Sequence, residues 1–354
     1  MKIEVPIKAL LEAAGAVSVN PTKSEHSSCI RFDAAEQLSL TATELDYWST
    51  QGCPEARVLE PGSLLLHTDM LKGLLRSFRG ETITITQQGG HVLLKALGQS
   101  AAKLATADLS AYPVAPPIGS RQRLIADLAP AMRLLPAMAE TDVRGALHGL
   151  RIEEGDGKLN AYAANGHIAA STSIEREGTC AEPIFIPAPQ APKACALGTV
   201  AITKTSNYLV FENNLNTTRI KQSAFESMDI GKALKAFQFD ASAVIIRDEA
   251  LSAFSSAHCL RQPKDQFVIV TVTQMQGALK IEAQTPRGSF NHILPCKSSG
   301  SWGSWGSARL TTENLIWALQ SGGEDVTMHF GDPKLSVRID DGNFSAYMAP
   351  MRLT

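Results

Sequence analysis

Apolar residues recur at helical spacing near the start of each third of the chain, and each such segment is followed by paired apolar runs broken by polar turns. Ile7, Leu10, Leu11, Ala14 and Val17 fall at i, i+3, i+4, i+7 and i+10, the single apolar face of an amphipathic helix. Leu128, Met132, Leu135 and Met138 repeat that face in the second third, where Pro130 and Pro136 should bend or shorten the helix. Ala250, Leu251, Phe254 and Ala257 do so in the last third, with Asp248 as the expected N-cap.

Two strands are expected after each helix, joined by a short polar turn. The pairs are Cys29–Phe32 with Leu38–Ala42, Leu150–Ile152 with Leu159–Ala163, and Phe267–Val272 with Leu279–Ala283. Leu38, Leu159 and Leu279 mark one place in three copies, 121 and then 120 residues apart. A second half-unit repeats as plainly. Short apolar strands at 64–66, 184–186 and 308–310 each run into a helix. The first of these helices spans Asp69 to Arg79 with Thr68 as its cap; Leu71, Leu74, Leu75 and Phe78 form its apolar face. The middle one is short and proline-rich, from Pro187 to Leu197, and the last is capped by Thr311 or Thr312. A hairpin follows each. The pattern predicts an α+β protein built from three tandem copies of one domain, each with two helices and about eight strands. The divisions are 1–118, 119–239 and 240–354, with boundaries in the proline-rich 113–123 stretch and near 231–240.

Composition adds limits. At 354 residues, 44% hydrophobic and 19% charged, the chain has the profile of a soluble globular protein with an ordinary core. No run of about 18 apolar residues suggests a membrane span, and the start, Met1-Lys-Ile-Glu-Val5, lacks the apolar stretch of a signal peptide. Six cysteines with no C-x-x-C pair argue against a disulfide framework and a thiolate zinc site. A cytoplasmic location is expected. The net charge of −2 lacks the basic excess of a protein that grips nucleic acid over its whole surface, so positive charge for such a role must sit on one face.

Catalytic signatures are missing: no phosphate-binding loop, no G-x-S-x-G elbow, no H-E-x-x-H pair. Asp142-x-Arg144 with Asn165-Gly166-His167 could seed acid/base chemistry, since histidine suits proton transfer near neutral pH. Asn-Gly is equally a plain turn dipeptide. Carboxylates are spread out rather than clustered, so neither a catalytic set, a metal nor a cofactor is expected. The 300–306 loop carries Trp302 and Trp305 on glycines and serines; it could anchor a partner, stack on bases or fold back on its own domain.

The end of the chain, Ser345-Ala-Tyr-Met-Ala-Pro-Met-Arg-Leu353, resembles the close of bacterial replicative sliding clamps, the beta subunit of DNA polymerase III, which finish in Pro-Met-Arg-Leu. Asp142-Val-Arg-Gly-Ala-Leu-His-Gly149 and the segment around Asn165-Gly166-His167 look like that family's D-V-R-x-x-L-N-G and T-D-G-H-R-L-A stretches. The resemblance runs through the whole chain, with the three repeats in order. It implies a head-to-tail homodimeric ring of six similar domains, helices lining a hole through which double-stranded DNA passes. It also implies partners: DNA polymerase, the clamp loader and other clamp-binding-motif proteins.

By motif position the resemblance places a partner-peptide pocket at Leu147, Ala164, Gly166, His167, Ile168 and Ala169, with Met348, Pro350, Met351, Arg352 and Leu353. Small and apolar residues suit a groove that anchors a few side chains. On the helix from Asp69, the basic residues Lys72, Arg76 and Arg79 at i, i+4 and i+7 form the candidate DNA-facing stripe. Ala102 and Leu104 in the first repeat, with Cys259 and Leu260 in the third, occupy the family's subunit seam. Several positions depart from the family: Ile168 replaces an arginine, Ala169 a leucine and Ala102 a phenylalanine, and Phe225-Glu226 replaces Phe-Pro. Asn20, Asp69 and Met70 stand where basic residues are common. Weaker DNA contact, a weaker seam and a different partner peptide are the expectations. The rival reading is a clamp-like interaction protein that binds clamp partners without encircling DNA.

Overall fold

A computed structural model describes residues 1–17, 19, 25–96, 101–118, 124–139, 147–155, 157–222, 228–263, 267–300, 306–331 and 337–351. Its recurring motif is a strand that runs directly into a helix. This occurs at Lys2–Pro6 into α1 (Ile7–Ala16), at Gly62–His67 into α2 (Thr68–Ser77) and at Leu124–Asp127 into a 3-10 helix, Ala129–Ala137. Three further instances follow: Ile184–Pro187 leads to α3 (Ala191–Cys195), Ala241–Ile246 to α5 (Arg247–His258), and Ser307–Thr311 to α6 (Thr312–Ser321). The short α4 (Ile230–Lys235) follows the strand Asn216–Lys221 and precedes Ala241–Ile246.

The strand-to-helix geometry corrects two of the expected caps, Thr68 and Asp248, while Thr311 stands at its expected N-cap position without a side-chain bond. Pro6, His67, Ile246 and Thr311 occupy the N-cap positions, all extended (ψ 132°, 127°, 121° and 137°) and none with a side-chain cap bond. The capping residue is the last of a strand, so Thr68 and Asp248 fall inside the first turn. There Asp248 favours the positive end of the helix dipole instead. Only α4 has a true side-chain cap among these helices: Asp229 accepts a bond from the Lys232 amide at 2.8 Å.

The second-third helix is also corrected. It is a 3-10 helix with Pro130 and Pro136 within it, so its buried face repeats every third residue: Leu128, Ala131, Leu134 and Ala137. Met132, expected on that face, is 43% exposed.

The chain gathers into two compact units, Met1–Ala126 with Leu197–Gln222, and Asp127–Ala196 with Ser223–Thr354. In the first, a five-stranded sheet is ordered Arg57–Glu60, Lys2–Pro6, Thr82–Gln88, His91–Ala96, Ala101–Ala105. A longer sheet continues from the middle-third hairpin into the first third, because Asn216–Lys221 pairs antiparallel with Tyr47–Cys53. α1 and α2 cover the core of this unit, with Ile3, Leu10, Leu38, Leu71 and Ile85 all fully buried.

The second unit has a four-stranded sheet, Gly288–Pro295, Ala278–Thr285, Ile269–Met275, Ser307–Thr311, and one of nine strands. In the nine-stranded sheet Ile168–Ile174 pairs with Phe344–Met348, joining middle-third strands to last-third strands. Leu38, Leu159 and Leu279 are all buried, as one core position in three copies should be. No helix among the described residues is long and apolar enough to cross a membrane.

Candidate functional site

Six residues named from the family motif converge in the second unit. Leu147, Ala164, Gly166, His167, Ile168 and Ala169 line one cavity of about 250 Å³. The turn between Lys158–Ala164 and Ile168–Ile174 brings them together. Asn165 Oδ1 accepts from the His167 and Ile168 amides at 3.0 Å each, and Gly166 sits at φ +90°, a conformation glycine adopts without a Cβ penalty. Asn165-Gly166 is therefore the turn, and it aims His167 and Ile168 at the cavity. Asp142 and Arg144, the other half of the acid/base constellation, lie outside the described residues.

The opposite wall is α4 and the residues just past it: Ile230, Ala233, Leu234 and Phe237, with Met228 before the helix. Tyr347 and Ala349 complete the lining from the last strand and its continuation. The floor is a small core of its own, in which Ala139, Leu147, Tyr162, Ala164, Ile230 and Leu234 are buried together. The ring of Phe237 lies 6.0 Å from that of Tyr347, tilted by 32°. This is a surface for apolar side chains, with His167 and Tyr347 its only titratable lining groups among the described residues.

The tail is corrected by strand alternation. Successive side chains of Phe344–Met348 point to opposite faces, so Phe344, Ala346 and Met348 enter the core while Tyr347 faces the cavity. Met348 is buried at 1% exposure and does not line the pocket. Pro350 and Met351 are also absent from the lining; the Met351 amide instead donates to the Arg309 carbonyl at 2.9 Å, along the edge strand Ser307–Thr311. Arg352 and Leu353 lie outside the described residues. Phe237 and the α4 face were legible as Ile230, Ala233, Leu234 and Phe237 at i, i+3, i+4 and i+7. They fall in a stretch read as a repeat boundary.

The basic stripe is shorter than expected. α2 ends at Ser77, because Phe78 turns extended (ψ 135°) and packs back on the core, which leaves Arg79 exposed beyond the helix. Lys72 and Arg76 remain one turn apart on α2. Partial burial holds the Lys72 ammonium below its ordinary range, Arg76 adds to the effect and Asp69 opposes it. Arg76 is exposed in the last turn, a favourable place for a cation.

The seam residues divide. Ala102 and Leu104 sit on Ala101–Ala105, an outer strand of the five-stranded sheet, but Leu104 pairs opposite Val92 and is 6% exposed within its own core. Cys259 is exposed just past α5 and Leu260 half-buried. The Trp302/Trp305 loop and Phe225-Glu226 lie outside the described residues.

The fold is that of the sliding clamps. The DNA polymerase sliding clamp of Bacillus subtilis superposes with a TM-score of 0.89 at 16% identity, with 100% of each chain covered. A Pseudomonas aeruginosa clamp bound to griselimycin gives 0.88 at 22% identity, again over 100% of each. Within that class the resemblance is to the beta subunit of bacterial DNA polymerase III, at a divergent level. In sequence the chain is 28% identical to the Beta sliding clamp of Pseudomonas aeruginosa over 179 residues. That alignment spans about half of each protein, 49% of this chain and 48% of the relative. No family model matches the chain.

Proposed function

We propose that this chain is a DNA sliding clamp, a polymerase processivity factor that closes head-to-tail with a second copy around double-stranded DNA. In this reading 1–118, 119–239 and 240–354 are three clamp domains, the protein works in the cytoplasm and it has no active site of its own. Polymerase, clamp loader and other clamp-binding-motif proteins dock short peptides in the cavity beneath α4. The observation that carries the reading is the convergence of six motif positions, 147, 164 and 166–169, on one apolar cavity of the size that takes anchoring side chains.

Further features support it. Six strand-to-helix turns supply the repeated helices that a ring of domains needs. Two sheets end in outer strands suited to pairing with a second copy: Ala101–Ala105, and Gly288–Pro295 with Ile293 at 56% exposure. Lys72, Arg76 and Arg79 are the proposed DNA-facing cations. Their small number suits a ring that holds DNA topologically, since each phosphate contact adds salt-dependent affinity and drag. The small Ala102 and inward Leu104 favour one rival, a partner-binding relative that does not close.

Retention on DNA separates the two. Loaded onto nicked circular DNA with a clamp loader, the protein should stay bound through gel filtration at high salt and be lost once the circle is linearised. Equal retention on circular and linear forms would remove the encircling reading.

A further inference from the structure

The cavity continues along one cross-strand row. Register sets Ala164 opposite Ala169, Ala169 opposite Tyr347, Tyr347 opposite Arg338 and Arg338 opposite His329. His329 then faces Ser242, and Ser242 faces Ser299, with their hydroxyls 2.8 Å apart. Residues directly opposite one another share a face of the sheet. One line of side chains thus crosses seven strands, apolar at the cavity end and polar beyond Tyr347.

Phe239 stands beside this row. Its ring lies 6.3 Å from Tyr347 and 5.8 Å from His329, and the Arg338 guanidinium sits 5.1 Å over it. Arg338 Nη2 is 3.0 Å from His329 Nε2 and 3.2 Å from Asp340 Oδ2, while its Nε is buried with no acceptor among the described residues. Asp340 is divided between partners, because its Oδ1 also accepts from the Gly342 amide at 2.6 Å. Burial and then Arg338 hold His329 below its ordinary range against the pull of Asp340, so it is neutral at pH 7 and adds no second cation. Arg338 is therefore the one permanent cation of the row. It is held against an aromatic ring, is about one-quarter exposed, and among the described residues shares its one carboxylate with a backbone amide.

We propose that the segment bound in the cavity runs across the strands toward Arg338 and sets a carboxylate on that guanidinium. The inference rests on the pocket reading and adds to it a charge requirement: apolar anchors followed by an acidic residue. Two interstrand steps of about 4.8 Å separate Ala169 from Arg338, a span of ~10 Å, which is about three residues of extended peptide at ~3.3 Å each. The acidic side chain therefore belongs about three residues from the anchors. A charge-assisted contact to arginine is stronger than a neutral one and is weakened by salt.

The probes are fluorescein-labelled peptides sharing a Leu-Leu-Phe core, with Asp, Asn or Lys placed three residues from it on either side, measured by fluorescence anisotropy. The Asp peptide in one of the two placements should bind roughly five- to tenfold tighter than its Asn counterpart, and the Lys peptide weaker than both. The gap should collapse in high salt and with Arg338→Met, which leaves the Asn peptide unaffected. Equal binding of all three overturns the proposal and leaves the pocket standing. A gap that survives Arg338→Met in a folded variant also overturns it. If Arg338→Met fails to fold, the Asp, Asn and Lys ranking on the unaltered protein decides. Binding of none of the peptides removes the pocket reading and this one together.

Discussion

Ala233→Arg is expected to abolish peptide binding, weakening the Leu-Leu-Phe peptide by at least a hundredfold with little change in Tm. Ala233 is half-exposed on α4 and faces the cavity, so its substitution leaves the core intact while a long charged side chain fills the mouth. Two buried anchors at about 2 kcal/mol each amount to ~4 kcal/mol, or nearly a thousandfold in affinity if both are displaced. The measurement is anisotropy on the variant beside a thermal melt. Unchanged affinity in a folded Ala233→Arg protein would mean that peptides dock elsewhere.

The second large effect is on stability. Gly149→Ala should lower stability by about 3 kcal/mol, because the new methyl group would meet the Ile186 carbonyl oxygen and the Phe185 ring. Neither can retreat easily. Leu150 pairs with Ile186 and Gly149 with Pro187 in the sheet, and Ile186 is fully buried. Gly149 closes the stretch that resembles the family's D-V-R-x-x-L-N-G motif, so this contact gives its glycine a physical reason. Gly73→Ala makes the contrast. It lies within α2 with nothing within 4 Å of the added carbon, and should raise stability by up to about 1 kcal/mol. Chemical denaturation of the two variants checks both signs. A Gly149→Ala protein as stable as the parent would show that the strands there separate freely.

The parts of the fold that were legible share one property: burial on a regular period. α1, α5 and the hairpins around Leu38, Leu159 and Leu279 announce themselves because one face is apolar. The 3-10 helix Ala129–Ala137 misleads for the same reason. Its leucines and methionines fit a 3.6-residue spacing, but with prolines at 130 and 136 the helix turns every three residues, so alanines face inward and Met132 faces out. Asn216–Lys221 reads Asn-Thr-Thr-Arg-Ile-Lys, with no apolar alternation to mark a strand, and its pairing with Tyr47–Cys53 makes it one. Gly288–Pro295 and Lys297–Gly300 are exposed almost throughout, so no apolar alternation marks them.

The site was half legible. The Asn165-Gly166-His167 turn and Leu147 carry a motif, and they meet in the cavity. Met348 was assigned to the wrong face because a motif names consecutive residues, while a strand sends alternate ones to opposite sides. Tyr347 and the Arg338 row meet Ala164 and Ala169 through pairing between strands from the middle and last thirds of the chain, and neither spacing nor motif reports that.

Negative-stain electron microscopy of the purified protein, averaged by class, tests the sliding-clamp reading most directly. The account predicts a closed ring with a central hole and a pseudo-sixfold outline, built from two chains. Compact particles without a hole at every concentration, up to the highest attainable, would contradict it and leave a partner-binding relative that does not encircle DNA.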